Sequence, residues 1–146
     1  MKLSDYVLKR LADEGVQRVF FVPGGAAMHL NDSLGRCEGI EYVSNLHEQA
    51  SAIAAEAYAR LSGGIGACMV TAGPGSTNAI TGVAAAWLDS TPVVLLSGQA
   101  KSSDLKGDSG VRQMGVQEID IVSIVDSITK YAVTVTDPQT IRYHLD

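Results

Sequence analysis

Ile65-Gly66-Ala67-Cys68-Met69-Val70-Thr71-Ala72-Gly73-Pro74-Gly75-Ser76 is the stretch that decides the fold. A strand over residues 65–71 runs into a Gly-Pro-Gly turn, and the turn opens a helix over residues 76–88. A second strand, Val93 to Ser97, follows. Working towards the amino terminus, Gly63-Gly64 ends a helix that starts near His47, and Glu41 to Ser44 forms the strand before it. Arg18-Val19-Phe20-Phe21-Val22 is short, branched and aromatic, as a buried parallel strand is, and Pro23-Gly24-Gly25 stops it. Before it, Val7, Leu8, Leu11 and Ala12 recur at helical spacing, with Ser4 or Asp5 as the cap and Gly15 at the end. This alternation predicts an α/β fold of three layers, a parallel sheet flanked by helices on both faces.

Towards the carboxyl terminus, residues 98–117 read as a long polar loop, and loops of that length are usually functional or disordered. A helical pattern resumes near Ile119, and Tyr131 to Val135 reads as a last strand. Thr136-Asp137-Pro138 then has the cap and first-turn proline of a helix that stops after two turns, so the natural chain is expected to continue.

The chain has 146 residues, which suits one domain over residues 1–146. With 46% hydrophobic and 18% charged residues it is globular, and no apolar run reaches the roughly 20 residues that a bilayer crossing needs. The expectation is a protein that does not span a membrane and, lacking a secretory signal pattern, is cytoplasmic. A formal charge of −5 with no basic cluster argues against nucleic acid as a partner. Cys37 and Cys68 lack the spacing of a zinc site or a disulfide framework.

Ligands of parallel α/β sheets bind beyond the carboxyl ends of the strands. Three features fall there: Pro23-Gly24-Gly25, His47-Glu48 and Gly73-Pro74-Gly75. Each turn taken alone also reads as a tight strand-to-helix connection, and an acid such as Glu48 in a first helical turn is explained by the helix dipole. Gly73-Pro74-Gly75-Ser76-Thr77-Asn78 imitates a dinucleotide fingerprint, yet Asn78 stands where a glycine belongs and no acid follows Val93 to Ser97. The alanine-rich helix with Ala50, Ala52, Ala54, Ala55, Ala57 and Ala59 fits either high helix propensity or a closely packed interface.

Val22-Pro23-Gly24-Gly25-Ala26, Leu46-His47-Glu48-Gln49-Ala50, Ala54-Ala55-Glu56-Ala57-Tyr58-Ala59-Arg60, Val70-Thr71-Ala72-Gly73-Pro74-Gly75-Ser76-Thr77-Asn78 and Ser97-Gly98-Gln99 follow in order. In sequence and spacing they resemble the amino-terminal, pyrimidine-binding domain of thiamine-diphosphate-dependent enzymes of the acetohydroxyacid (acetolactate) synthase type. The resemblance covers essentially the whole chain. It implies a domain that binds the aminopyrimidine ring, while a separate diphosphate-binding domain with a GDG-type motif holds the diphosphate and Mg²⁺. Lys106-Gly107-Asp108-Ser109-Gly110 does not match that motif, so no metal ligand is assigned to this chain. A flavin (FAD), where the family has one, belongs to a middle domain. Cofactors at domain interfaces imply a homo-oligomer, dimer or tetramer.

By the same resemblance Glu48 is the cofactor-activating carboxylate. A carboxyl group hydrogen-bonded to ring N1′ makes the neighbouring 4′-amino group basic enough to take the C2 proton. Pro23, Thr71, Pro74, Asn78 and Gln117 are implied as cofactor contacts, and Gly24, Gly25 and Ala26 as a border of the substrate channel. Val116 stands where the family's Phe-Gln-Glu segment has phenylalanine, near the substrate entrance. The implied reaction is carboligation or decarboxylation of a 2-oxo acid or related carbonyl compound. Two alternatives stand beside it, a nicotinamide-binding Rossmann domain and a non-catalytic interaction module that kept the fold.

Overall fold

The computed structural model describes residues 1–146. Four parallel strands, β1 (Arg18–Phe21), β2 (Glu41–Ser44), β3 (Gly66–Val70) and β4 (Val93–Ser97), form one sheet in the order β2-β1-β3-β4. The helices are α1 (Leu3–Asp13), α2 (Met28–Arg36), α3 (Glu48–Ser62), α4 (Pro74–Asn78), α5 (Ile80–Leu88), α6 (Ile121–Val125) and α7 (Ile141–Leu145). Every residue of β3 is buried. Side chains alternate across a strand, so β3 serves two cores. Ala67 and Met69 join Val7, Leu8, Leu11, Val16, Val19, Leu34 and Ile40 on the α1/α2 face, while Cys68 and Val70 join Ala52, Ala55 and Ala79 on the other. This is the expected three-layer architecture.

Small residues let α3 approach both the sheet and α5. A Cβ built on Gly66 would fall 2.1 Å from the Ala55 carbonyl oxygen, and one on Gly82 would fall 2.5 Å from Ala52 Cβ. The alanine-rich helix is therefore closely packed within the chain as well as rich in propensity.

Several boundaries differ from the reading of the sequence. Neither Ser4 nor Asp5 caps α1: the helix starts at Leu3, and both residues instead bond across to α2, where Ser33 Oγ lies 2.8 Å from Ser4 Oγ and 2.6 Å from Asp5 Oδ1. The sequence reading missed α2, which follows a 3-10 turn at Gly25–Ala27. Its buried side is only Ser33 and Leu34, too sparse a stripe to stand out. The helix expected over residues 76–88 divides at Ala79, because the Ser76 and Thr77 hydroxyls bond back to the Gly73 and Pro74 carbonyls at 2.9 and 3.3 Å and tighten that turn.

The strand expected at Tyr131 to Val135 does not form. Its branched residues suit a strand, but strand propensity is realised only against a neighbour. No backbone hydrogen bond reaches residues 131–135, which face β4 across a cavity of about 1240 Å³. The expected start signal at Asp137-Pro138 does act, since Asp137 accepts from Gln139 N; Asp120, which the sequence reading did not single out, accepts from Ser123 N at the head of α6. No helix is long and apolar enough to cross a membrane.

Candidate active site

Parallel pairing puts the carboxyl ends of all four strands on one side. From there the chain leaves β1 into Pro23-Gly24-Gly25, β2 into His47-Glu48, β3 into Thr71-Ala72-Gly73-Pro74 and β4 into Gly98-Gln99. The three features singled out in the sequence therefore share one edge of the sheet.

Glu48 is the first residue of α3, and His47 caps that helix through Nδ1, which accepts from Gln49 N at 3.1 Å. The Asn78 amide, on α4, donates to Glu48 Oε2 at 2.9 Å. Glu48 Oε1 takes no hydrogen bond and lies 3.5 Å from where a Cβ on Gly75 would be. Glycine at that position is required by Thr71, 2.6 Å from where its Cβ would be, while the Asn78 amide orients one carboxylate oxygen of Glu48. The acid at the helix start thus has more than a dipole to explain it.

Thr71 sits behind this pair. A Cβ on Gly24 would fall 2.4 Å from Thr71 Cβ, and one on Gly75 would fall 2.6 Å from Thr71 Cγ2. Thr71 Oγ1 is buried without a hydrogen-bond partner. The Pro-Gly-Gly loop and the Gly-Pro-Gly turn are packed against one threonine, and two glycines make that possible. Asn31, on α2, donates to the Gly24 carbonyl at 3.2 Å and anchors the first loop. Reading the sequence did not find Asn31, because α2 itself was missed.

The long loop closes another side. Gln117 has φ +56°, and its carbonyl oxygen lies 2.3 Å from where a Cβ on Gly73 would be. Gly73 (φ +62°, ψ −119°) is thus required both by its backbone conformation and by this contact. Ala26 packs its carbonyl under Gly98, 2.5 Å from a Cβ built there. Asn78 is bonded to Glu48, Thr71 lies against Gly24 and Gly75, and Gln117 lies against Gly73, with Pro74 inside the same turn. Pro23, Gly25 and Ala26 lie along the exposed rim, and Val116 is 82% exposed beside Gln117. The arrangement is a site walled by the strand ends and by the Gln117 loop.

Cys68 lies below it, on β3. Burial, with the Glu48 charge adding to it, pushes the thiol up to about 12, so it is a neutral packing group. No group of three or more His, Cys, Asp or Glu side chains is placed to hold a metal ion. The groups present fit an aminopyrimidine: a carboxylate with one oxygen held by Asn78 and the other free, beside a buried Thr71 hydroxyl that has no partner.

A family model described as "Thiamine pyrophosphate enzyme, N-terminal TPP binding domain" matches residues 1–124. The chain is 41% identical over 138 residues to an acetolactate synthase isozyme 3 large subunit of Escherichia coli (strain K12), covering 94% of this chain and 23% of that protein. It is 42% identical over 128 residues to an acetolactate synthase large subunit of Lactococcus lactis, covering 88% and 21%. A chloroplastic acetolactate synthase of Arabidopsis thaliana is 41% identical over 140 residues, covering 96% and 20%. The chain thus spans about a fifth of the length of the curated relatives it matches.

Proposed function

Because this chain belongs to the thiamine pyrophosphate enzymes as an N-terminal TPP binding domain, we propose that it is the pyrimidine-binding half of an acetolactate synthase-like enzyme acting on 2-oxo acids or related carbonyl compounds. The observation that carries this reading is the Glu48 carboxylate, held through Oε2 by Asn78 and free at Oε1 beside Gly75. When bound, thiamine diphosphate supplies a carbon nucleophile and an electron sink for carbonyl chemistry.

What this chain contributes is placement of one proton. Glu48 Oε1 is the atom that would bond ring N1′ and exchange a proton with it. The Asn78 amide keeps the carboxyl plane fixed while that happens. Thr71 sets the spacing of the two glycine turns, Pro23 and Pro74 would present apolar edges to the ring, and Gln117 packs against the Gly73 turn. Gly24, Gly25, Ala26 and Val116 border the path a substrate takes. The diphosphate and Mg²⁺ are assigned to a second domain, because nothing on this edge offers an acidic metal cluster.

A partner is part of the same reading. The exposed face of α3 and α5 carries Ile53, Leu61, Trp87 and Leu88, and we assign it to contacts within a homo-oligomer that completes the site. The dinucleotide alternative loses its basis, since the family is a different one and Asn78, where a third glycine is needed, instead holds Glu48.

The test is proton-to-deuterium exchange at thiamine C2 in the assembled protein containing this domain and its diphosphate-binding counterpart. Glu48→Gln keeps the shape and removes the exchangeable carboxyl proton, so exchange slows by about 10² to 10⁴ with cofactor saturating. An unchanged rate would remove Glu48 from the mechanism. A wild-type protein that binds cofactor without accelerating exchange would instead mark a non-catalytic module that kept the fold.

A further inference from the structure

The loop between β4 and α6 is organised around one acid. The Glu118 carboxylate accepts from Lys106 N at 2.7 Å, from Met114 N at 3.0 Å and from Gly115 N at 3.0 Å. These amides come from two separate parts of the loop, so the side chain ties them together. Gly115 is buried, and a Cβ there would fall 2.3 Å from Ala100 Cβ, which seats the clasp on the segment leaving β4. Gln99 Nε2 donates to the Ile119 carbonyl at 3.2 Å and pins the other side. Between these anchors Val116 and Gln117 are exposed, and Gln117 packs on Gly73.

Gln117 needs that support. Its φ of +56° lies in the left-handed region, which costs a residue with a Cβ roughly 1 kcal/mol or more, and its carbonyl and Cβ press on Gly73. Gly73 opens α4, α4 carries Asn78, and Asn78 holds Glu48. An unbroken line of contacts therefore runs from Glu118 to the carboxylate of the site, although Glu118 touches neither the glycine turns nor Glu48. An ionised carboxylate suits the post because it is acceptor-only and can take all three amides, which also hold its pKa below the usual carboxylate value.

We propose that Glu118 is a positioning residue: by clasping the amides of Lys106, Met114 and Gly115 it fixes Gln117 against Gly73, which opens the helix whose Asn78 holds Glu48. The inference rests on the cofactor reading above and extends it to a residue outside the site. Glu118→Gln leaves one acceptor oxygen and turns the other into a donor facing backbone N–H groups. Glu118→Asp keeps the charge and withdraws it by one methylene.

The experiment measures C2 proton exchange at saturating thiamine diphosphate in the assembled protein, with thermal melting to establish that each variant is folded. Misplacement on the ångström scale costs up to about 10² in rate, so Glu118→Gln slows exchange by about 10- to 100-fold and Glu118→Asp falls between it and wild type. In a Glu48→Gln background, Glu118→Gln slows exchange no further, because it acts through that carboxylate. A purely structural clasp would lower melting temperature or cofactor affinity and leave the saturated exchange rate alone. Wild-type exchange in both variants overturns this inference while the role of Glu48 stands. A wild-type protein that does not accelerate exchange above free cofactor overturns both.

Discussion

Glycine and threonine carry much of the site's shape at the scale of single residues, and substitutions separate the glycines that matter. Gly24 faces Thr71 at 2.4 Å from its would-be Cβ, whereas Gly25 has nothing within 4 Å. Gly24→Ala therefore overpacks the loop and lowers the unfolding free energy by about 1–3 kcal/mol, while Gly25→Ala changes it by less than about 0.5 kcal/mol. Urea melts of the two variants check this, and equal losses would show that the Thr71 contact is not limiting. Cys68 gives a second residue-scale expectation. With its thiol pushed up to about 12 by burial, it stays protonated at pH 8 and unreactive to iodoacetamide in the native protein, then alkylates in denaturant. Peptide mass spectrometry that finds Cys68 modified under native conditions would contradict its place on β3. The place of Glu48 at a helix start was legible in the sequence, but its partner Asn78 is 30 residues away, and their 2.9 Å bond exists only because α3 and α4 meet.

Elements were legible where local chemistry and length agreed. Gly63, at φ +69°, ends α3 where the glycine pair predicted, and β3 coincides with the apolar run because both of its faces are covered. Elements that depend on contacts far along the chain were not. α2 is held to α1 by Ser33 and by the Lys2–Asp32 ion pair at 2.6 Å, neither of which follows a local period. Residues 131–135 have strand composition and no strand beside them. The α3–α5 contact is the element whose tolerance is easiest to measure. Gly82→Ala places a methyl 2.5 Å from Ala52 Cβ, so it destabilises the fold by about 1–3 kcal/mol, read as a drop in urea midpoint. A neutral result would mean that the two helices separate more readily than this packing implies.

At the scale of the whole molecule, the outer surface of α3 exposes Ile53 and Leu61, which we assign to the proposed interface. Ala57 is exposed there among Ile53 and Leu61, so Ala57→Leu disturbs assembly more than folding. Sedimentation of the concentrated wild-type and variant proteins decides it: a strictly monomeric wild type would exclude the assigned interface for this chain. Acid stability is the second molecular property. Asp5, Asp32, Glu118 and Asp120 all have pKa values lowered by hydrogen bonds in the folded state, from Ser33, from Lys2, from backbone amides and from Ser123 respectively. A depressed carboxylate contributes stability above its unfolded value and loses it as pH falls through the folded one. The urea midpoint is therefore expected to fall as the pH drops below about 4.5, which spans the ordinary carboxylate values, and a midpoint that rises there would reverse the sign of these contacts. The sequence alone determined the parallel α/β class, the glycine turns after the strands and the acid at a helix start, because each is written in residues close together. Tertiary structure decided that the turns meet around Thr71, that Asn78 holds Glu48, that Glu118 clasps its loop and that residues 131–135 stay unpaired. Those outcomes depend on which distant segments come into contact, and burial and pairing over such separations leave no periodic trace in the chain.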